Sequence, residues 1–512
     1  MEVDAERLPA GARLEGALCV IGAGPAGIAL ARECSRRGVD VLLLESGGIR
    51  PEVWPQTLNE GAVTGDSYAG LRPTRHRQAG GTSQIWNTDV GGVTGAKYLP
   101  LDPSDFEGLG GPLESAWPYG FADLLPWLRR AQALCGLGPF RYEGADWAGA
   151  DRSPLSLGDD SLTTRVYQFG AQRPFTETYL AEMRSAPGVR LCHHATVCEL
   201  ITDGTGRRIL EARIGCRSGK PLSARAPVFV LAGGAIENAR LLLASQGGRM
   251  SAIGNQSDLV GRCFMEHPRD RSLCLVPHTP EFLAAAAFYD FHRGGDGTIV
   301  GGRLAPADSA LRRHRLPNFS VTLLPKAGAS SAGTEWTARL GRALRRLRRG
   351  AAPTAGYGWS ELPEPSRRFS EVQLLINLEQ RPDPKNRIVL GGARDRLGVP
   401  RAELQWRWST EERAELDRIR GLLADWLEGA GVGRVRIDRE RDADPNAHHH
   451  AGTTRMAVDE RHGVVDPDCR VHGTDNLYVA GASVFPRAGC ANPTLTVVAL
   501  SLRLADHLGS RA

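Results

Sequence analysis

The stretch ALCVIGAGPAGIALARECSRRGVDVLLLESGG, residues 17–48, decides the fold class of this 512-residue chain. Its pattern predicts a strand from Ala17 to Ile21, a tight glycine turn, a helix to about Arg37 and a second strand from Val39 to Leu44. A β-α-β unit with G-x-G-x-x-G spacing binds a dinucleotide, because the unpaired amides and the positive end of the helix face its phosphates. We therefore predict a dinucleotide-binding unit, with a plain α/β turn as the alternative.

Four residues of this unit have separate physical roles. Gly22 permits the turn, Gly24 lets the backbone approach a pyrophosphate, and Gly27 lets the helix pack closely on the strand. Glu45 stands at the tip of the second strand, roughly 20 residues past the turn, where an acid accepts hydrogen bonds from an adenosine ribose. NAD and FAD sites share these features, so the cofactor has to be decided elsewhere in the chain.

The composition excludes several classes of protein. The 63 basic and 58 acidic residues leave a formal charge of +5, and no dense basic face with interleaved aromatic residues predicts nucleic-acid binding. The ten cysteines are scattered, which predicts small buried thiols in a reducing compartment rather than disulfides. We see no secretory signal and no apolar run of the roughly 18 residues that a membrane helix needs, so we expect a cytoplasmic protein without a membrane span.

Two internal segments have the composition of cofactor-binding loops. RQAGGTSQIWN, residues 77–87, is a glycine-led polar loop with an indole, and its alternative is a surface turn with a buried Trp86. APVFVLAGGAIENARLLLAS, residues 226–245, predicts a strand, a Gly233-Gly234 turn and a helix, a pattern also found in plain α/β units. Neither segment identifies the cofactor by itself.

The C-terminal segment favours FAD. Residues 463–508 predict a short strand from Asn476 to Ala480 that ends at Gly481, followed by a long amphipathic helix that begins at Pro493. A helix that begins there presents its positive end to whatever precedes it, which suits a reduced flavin ring carrying negative charge. We therefore expect FAD rather than NAD.

Eight motifs occur in one order along the chain: VIGAGPAGIALA, LLLESG, GGTSQIW, AGGAIENARLLL, VGRCFMEHP, HHHAGTTRM, GVVDPDCRVHGTDNLYVAGASVFP and ANPTLT. They span about residues 17–508, and together they closely resemble the glucose-methanol-choline (GMC) family of FAD oxidoreductases. The cofactor-binding residues that this resemblance implies are Gly22, Gly24, Pro25, Ala26, Gly27, Glu45, Ser46, Gly80, Gly81, Thr82, Ser83, Trp86, Asn87, Val197, Ala232, Gly233, Gly481, Ala482, Asn492, Pro493 and Thr494.

The resemblance implies an α/β fold, α+β overall. A Rossmann-like FAD-binding domain is assembled from discontinuous segments, beside a substrate domain with an antiparallel sheet and flanking helices. We place the FAD-binding domain at residues 1–130, 186–270 and 440–512, and the substrate-binding domain at residues 131–185 and 271–439.

Three segments of the substrate domain have patterns of their own. Residues 371–392 predict strands joined by a turn around Pro382 to Asn386, and residues 410–431 predict an amphipathic helix stopped by glycine. Residues 337–368 predict a basic helix followed by a Pro/Gly-rich stretch. We interpret that segment as a solvated helix and loop, or alternatively as a lid over the active site or a docking patch for an acidic partner.

The run HHHAGTTRMAV, residues 448–458, contains the predicted catalytic base. The resembling family places its catalytic histidine three residues before the glycine of a Gly-Thr pair, which selects His449. An extended segment alternates its side chains, so His448 and His450 would share one side and His449 the other. An imidazole with a pKa near neutrality suits removal of a hydroxyl proton while a hydride leaves the same alcohol. Asn492 is the second implied catalytic residue, because an amide there can hold the substrate oxygen.

Each of these assignments has an alternative. His449 could be a structural histidine or a zinc ligand, but adjacent histidines cannot all converge on one metal and no ligand pair stands nearby, so we predict no metal. Asn492 directly precedes Pro493 and could instead be the N-cap of the last helix. His267 and His472 lie in family-like segments, and we interpret both as structural.

Two positions depart from the family pattern. Relatives that attach FAD covalently carry histidine just before the tryptophan of the glycine-led loop, where this chain has Ile85, so we expect non-covalent FAD. Arg487 stands where many members have a small residue, and it could bind an anionic substrate group or only a surface carboxylate. Arg487 and His450 are therefore the candidate substrate ligands.

The resemblance implies FAD-dependent oxidation of a CH–OH group on a sugar, polyol or glycosylated natural product. His449 would abstract the proton, a hydride would pass to flavin N5, and oxygen, a quinone or a redox protein would accept the electrons. A non-redox lyase that cleaves cyanohydrins on the same fold is the main alternative. An inactive binding scaffold and a nicotinamide dehydrogenase are the others.

Overall fold

The computed structural model describes residues 1–86, 88–90, 93–109, 115–158, 160–170, 173–245, 252–326, 358–362 and 364–509. The predicted cofactor ligand Asn87 lies outside the described residues, as do residues 337–357 and 363 of the predicted lid. Within the described part, the strands are β1 Glu2–Asp4, β2 Arg13–Glu15, β3 Leu18–Ile21, β4 Val41–Leu44, β5 Ala62–Gly65, β6 Thr88–Val90, β7 Val93–Tyr98, β8 Leu162–Gly170, β9 Val189–His193, β10 Thr196–Thr202, β11 Ile209–Gly215, β12 Leu222–Arg225, β13 Val228–Leu231, β14 Arg269–Pro277, β15 Phe291–Arg293, β16 Ile299–Pro306, β17 Phe319–Lys326, β18 Glu371–Leu378, β19 Arg387–Arg394, β20 Pro400–Trp406, β21 Gly433–Ile437 and β22 Leu477–Val479. The α-helices are α1 Pro25–Arg36, α2 Val53–Thr57, α3 Phe121–Leu134, α4 Tyr179–Ser185, α5 Gly234–Ala244, α6 Phe282–Ala285, α7 Asp308–His314, α8 Pro365–Arg368, α9 Thr410–Gly429 and α10 Thr494–Gly509.

A six-stranded parallel sheet forms the first layer, in the order β1-β9-β4-β3-β13-β22. Its central strands are almost wholly apolar and buried, as expected for parallel strands covered on both faces. Helix α1 packs against α4 and α10, and α3 packs against α10. The predicted Rossmann-like unit is confirmed, with strand and helix ends within two residues of those that the pattern indicates.

A nine-stranded sheet forms the second large layer. Its path is β21-β14-β18-β17-β16-β8-β7-β6, with β15 paired to β16, and its paired neighbours are antiparallel. Helix α9 packs against β21, and the bidentate ion pair between buried Arg420 and Asp270 links that helix to β14. This layer is the antiparallel sheet with flanking helices expected for a substrate domain.

Two smaller sheets are also present in the described residues. One has the order β10-β11-β12-β2, and the other has the order β19-β20-β5. The strands predicted within residues 371–392 are present as β18 and β19, but they do not form a hairpin. Strand β18 lies in the nine-stranded sheet and β19 in the three-stranded sheet, so the turn at Pro382 to Asn386 carries the chain from one sheet to the other.

The predicted domain boundaries cut across some of these elements. The boundary between residues 130 and 131 falls inside α3, which packs on the FAD-side helix α10. Helix α4 ends the segment 131–185 assigned to the substrate domain, yet it packs against α1 and β9 of the parallel sheet. Strands β6 and β7, assigned to the FAD domain, extend the antiparallel sheet. The segments are thus interleaved more finely than the sequence suggests, and the boundaries stay predictions.

No helix in the described ranges is both long and apolar enough to cross a membrane. All ten cysteines carry free thiols, and eight of them are buried, as their scattered spacing predicts.

Candidate active site

A cavity of about 800 Å³ opens at the carboxyl ends of β3, β4, β13 and β22, where open parallel sheets bind ligands. It extends from the glycine turn to the histidine run. The predicted site residues that line it are Gly22, Gly24, Pro25, Ala26, Glu45, Ser46, Gly81, Thr82, Ser83, Trp86, Val197, Ala232, Gly233, His449, His450, Gly481, Ala482, Asn492, Pro493 and Thr494. Gly27, Gly80 and Arg487 are not part of its wall.

Two of the three glycines at the β3–α1 turn, Gly22 and Gly27, have no room for a Cβ. Gly22 has a φ of 113°, and a Cβ there would lie 2.5 Å from the Ala232 carbonyl oxygen. A Cβ on Gly27 would lie 1.9 Å from the Gly22 carbonyl oxygen, so this glycine allows the helix to approach the strand. A Cβ on Gly24 would lie 3.9 Å from its nearest neighbouring atom, so there is space on the cavity side of this glycine. This cradle fits a pyrophosphate at the start of α1.

Glu45 stands at the edge of the cavity where the resemblance places the adenosine ribose. Its carboxylate accepts hydrogen bonds from the Ala23 N–H at 2.9 Å and the Gly47 N–H at 2.8 Å. Burial raises the pKa of Glu45, while these two backbone N–H groups oppose that rise. Ser46 contacts the Thr196 hydroxyl at 2.6 Å. The pattern of carboxylate and hydroxyl fits a ribose.

Three charged residues at this end were not found from the sequence. Arg75 and Arg77 line the cavity and both bind Glu237, at 2.7 Å and 2.9 Å. Burial would raise the pKa of Glu237, but Arg77 and the other neighbouring arginines lower it well below the usual range. The basic triplet Arg75-His76-Arg77, which overlaps the start of the glycine-led loop, was the only local signal of this cluster.

The glycine-led loop docks directly on the dinucleotide turn. The Gly80 N–H donates to the Ala23 carbonyl at 2.8 Å, and residues Gly81–Ile85 form a short 3₁₀ helix along the cavity. Gly80 therefore anchors the loop to the turn without lining the cavity. Trp86 borders the cavity and packs edge-on against Tyr98, with ring centroids 6.0 Å apart. Ile85, at the position of the covalent histidine in some relatives, also lines the cavity.

His449 lies at the opposite end, between two polar side chains. Its Nε2 is 3.1 Å from Asn492 Nδ2, and its Nδ1 is 2.8 Å from His267 Nδ1. The Asn492 amide therefore reaches across to His449 from the position directly before Pro493 and α10. His267, which we interpreted as structural, is buried in direct contact with the predicted base. His472 instead contacts the Ala457 carbonyl at 3.1 Å, away from the cavity.

These contacts set the protonation of His449. Burial lowers the pKa of His449 well below its usual range, and the neighbouring His267 lowers it further. The ring is therefore neutral at pH 7. With the Asn492 amide nitrogen assigned to the His449 side, Nε2 is the acceptor, and the His449 proton sits on Nδ1 facing His267.

Glu266 fixes the histidine run by hydrogen bonds. It was not identified as a site residue from the sequence. It accepts hydrogen bonds from the Tyr68 hydroxyl at 2.6 Å and from the backbone N–H of His449 at 2.9 Å. Burial would raise the pKa of Glu266, but hydrogen bonds from His450 and Tyr68 lower it to about 2. The residue was visible only as part of VGRCFMEHP, one of the motifs that carry the resemblance.

The three consecutive histidines all border the cavity. His448 and His450 have ring centroids 6.5 Å apart, so they lie on one side as predicted, although His448 is not extended and has a φ of 62°. His450 Nε2 lies 2.9 Å from the Tyr68 hydroxyl and 3.3 Å from Glu266 Oε1. This nitrogen is already hydrogen-bonded, so His450 fits a positioning role better than the substrate-ligand role suggested above.

Arg487 does not reach the cavity. Its buried guanidinium makes two hydrogen bonds to Glu379, at 2.7 Å and 2.8 Å, and donates to the carbonyls of Ser104 and Glu107. With these acceptors in place, no free donor face is left for an anionic substrate group. Arg487 therefore binds a carboxylate of the protein itself, the second of its two proposed roles. This carboxylate is buried rather than at the surface.

Comparison with known proteins identifies the family. The GMC oxidoreductase family model matches residues 382–501, a range that contains His449 and Asn492. An NAD(P)-binding Rossmann-like domain model matches residues 20–49, which contain the glycine turn. The chain is 26% identical to paromamine 6'-oxidase of Streptomyces fradiae, across 95% of this chain and 90% of that protein. The chain belongs to the GMC oxidoreductase family.

Two further proteins are similar to this GMC oxidoreductase in part of the sequence or in fold. The fructose dehydrogenase large subunit of Gluconobacter japonicus is 31% identical, across 55% of this chain and 47% of that protein. An FAD-dependent oxidoreductase from Chaetomium thermophilum has the same fold, with a TM-score of 0.54 at 15% identity, across 97% of this chain and 99% of that chain. The protein is therefore an FAD-dependent oxidoreductase that acts on CH–OH groups.

Proposed function

We propose that this GMC oxidoreductase holds FAD without a covalent bond and oxidises an alcohol group of a sugar, polyol or glycosylated natural product. His449 acts as the base. The observation that carries the proposal is the contact of a neutral His449 with Asn492 and His267 at the wall of the cavity.

The residues around His449 determine how the alcohol is activated. When bound, FAD supplies the acceptor for the hydride that leaves the alcohol carbon. His449 Nε2 takes the hydroxyl proton, because it carries the unprotonated lone pair and borders the cavity. The Asn492 amide donates to the same substrate oxygen and so fixes which C–H bond faces the flavin. The α10 amino terminus, at Pro493 and Thr494, provides a positive environment beside the flavin site.

Positioning residues hold the base in its reactive tautomer. His267 accepts the Nδ1 proton of His449, which keeps Nε2 unprotonated on the side of the ring that faces Asn492 and the substrate. Glu266 fixes the backbone of His449 and adds negative charge near a ring that becomes positive when it takes the proton. Tyr68 and His450 in turn hold the Glu266 carboxylate.

Several residues that line the cavity carry donors that suit hydroxyl groups. They include Lys97, Arg269, Asn377 and Asn446. The Lys97 ammonium lies 4.1 Å above the Tyr167 ring, and Arg269 binds Asp444 at 2.8 Å. The names of the relatives, a paromamine oxidase and a fructose dehydrogenase, agree with a polyhydroxylated substrate.

The first test is an anaerobic titration of the purified, FAD-loaded enzyme with a panel of sugars, polyols and glycosides. A true substrate bleaches the flavin absorbance, and admission of air shows whether oxygen restores it; a quinone and a redox protein are then tried as acceptors. His449→Ala should slow bleaching by roughly 10²- to 10⁴-fold. His278→Gln, at an exposed histidine far along the chain, is the matched control and should bleach at the wild-type rate.

Three results would count against the proposal. Turnover of a cyanohydrin with no bleaching indicates the lyase instead, and an unchanged rate in His449→Ala excludes this residue as the base. Non-covalent attachment is tested separately by acid precipitation, which should leave all flavin in the supernatant; yellow protein in the pellet would show a covalent bond.

A further inference from the structure

A cluster of two histidines and three carboxylates lies outside the active site, where β9 ends. His193 and His194 are adjacent, and their Nδ1 atoms are 3.1 Å apart. Asp4, in β1, places Oδ1 2.9 Å from His194 Nδ1 and 3.9 Å from His193 Nδ1. His194 has a φ of 56°, a conformation that non-glycine residues rarely adopt and that brings both rings to one point.

The three inner atoms have the spacing of ligands around one small ion. A triangle with edges of 2.9, 3.1 and 3.9 Å can be centred on an ion about 2.0–2.1 Å from each corner, which is the distance zinc keeps from imidazole nitrogen and carboxylate oxygen. Two imidazoles and one carboxylate are also a common donor set for zinc. The fourth position faces solvent, since His194 and Asp4 are only partly buried.

A second feature points to the same ligand. The outer nitrogen of each histidine faces a further carboxylate: His194 Nε2 is 2.9 Å from Glu52 Oε1, and His193 Nε2 is 3.4 Å from Glu2 Oε1. Metal-binding histidines almost always direct the other ring N–H to such an acceptor, which fixes the tautomer and strengthens the ligand. With both Nε2 atoms protonated in this way, both Nδ1 lone pairs point at Asp4. In this tautomer the two lone pairs are 3.1 Å apart, and a cation between them offsets their repulsion.

We propose that Asp4, His193 and His194 form a binding site for one Zn²⁺ ion, with Glu52 and Glu2 as the outer acceptors. This site is distinct from the run of residues 448–450, for which the sequence argues against a metal. An imidazolium at His194, bridging Asp4 and Glu52, is the arrangement that the same side chains adopt without the ion.

The ion would join three segments that flank the adenosine end of the FAD site. Asp4 belongs to β1, the histidines close β9, and Glu52 directly precedes α2. The His194 N–H donates to the Gly47 carbonyl at 3.0 Å, in the turn that follows Glu45. Zinc binding should therefore stabilise the folded protein around that turn.

The test uses FAD-loaded enzyme without a polyhistidine tag, stripped with a chelator and titrated with Zn²⁺ by calorimetry. Metal content is measured after gel filtration. We expect one ion per chain and a rise in Tm of roughly 2 °C or more at a hundredfold excess over Kd. Asp4→Asn and His194→Asn should abolish both effects; asparagine tolerates the left-handed backbone at position 194.

Matched variants separate this site from others. Glu52→Gln changes only an outer acceptor and should weaken binding about 10- to 100-fold. His449→Ala and His278→Gln should bind zinc like the wild type. Absence of stoichiometric uptake, or uptake that survives Asp4→Asn and Glu52→Gln unchanged, would overturn the proposal even if His194→Asn failed to fold.

Discussion

His267 and His449 face each other across Nδ1 atoms 2.8 Å apart, so a change at one residue alters the titration of the other. Burial and His267 together hold the pKa of His449 well below 6.5. The base should therefore stay neutral as the pH falls through 6.5, and kcat/KM of the wild type should decline only at lower pH. We expect His267→Gln to move that decline to higher pH, because it removes the nearby residue that lowers the pKa of His449 most.

The measurement is the pH profile of kcat/KM on a bleaching substrate. In His267→Gln the His449 ring is no longer held in position, which should also reduce kcat by up to about 100-fold. His472→Gln is the matched control, because His472 contacts a backbone carbonyl away from the cavity. An acid limb that does not move in His267→Gln would show that His267 has no influence on the base.

At the scale of an element, Gly22 in the β3–α1 turn is needed both for folding and for cofactor binding. Gly22→Ala introduces a Cβ 2.5 Å from the Ala232 carbonyl oxygen at a φ of 113°. We expect the free energy of unfolding to fall by about 2 kcal/mol or more. The amount of bound FAD per protein should also fall, because the end of β13 must shift to make room for the added Cβ. The ratio of flavin to protein absorbance and a thermal melt measure the two effects.

Gly38→Ala separates backbone strain from the clash. Gly38 follows α1 with a φ of 84°, but no atom lies within 4 Å of a Cβ there. Its substitution should cost about 1 kcal/mol of stability and leave FAD content unchanged. Equal losses of FAD in the two variants would mean that the close approach of Ala232 is not what the glycine provides.

At the scale of the whole molecule, Arg487 ties the C-terminal segment to the nine-stranded sheet through Glu379, next to β18. Arg487→Met leaves a buried carboxylate without its cation, which should lower the free energy of unfolding by about 3–5 kcal/mol. The KM for a bleaching substrate should stay near the wild-type value, because Arg487 lies outside the cavity.

Denaturant unfolding and steady-state kinetics distinguish the two roles of this arginine. The double variant Arg487→Met/Glu379→Gln should regain part of the stability, since it removes the unpaired charge. A raised KM with unchanged stability would restore the substrate-anion role that the sequence allowed.

The sequence by itself determined the class of protein. Leu18–Ile21, α1 and β4 follow from apolar periodicity and glycine spacing, which are local properties of the backbone. The order of motifs indicated the GMC family and FAD, and the family match confirmed both. His449 and Asn492 came from motif position, and their roles remain predictions for the experiments above.

Only the tertiary structure decided which side chains meet. Glu266 and His267 reach His449 from more than 180 positions away, and Glu379 lies 108 positions from Arg487, so no spacing in the sequence reports these contacts. The same holds for β18 and β19, which are neighbours in sequence but belong to different sheets. Backbone geometry is set by adjacent residues, whereas the partners of buried charges are set by how distant segments pack.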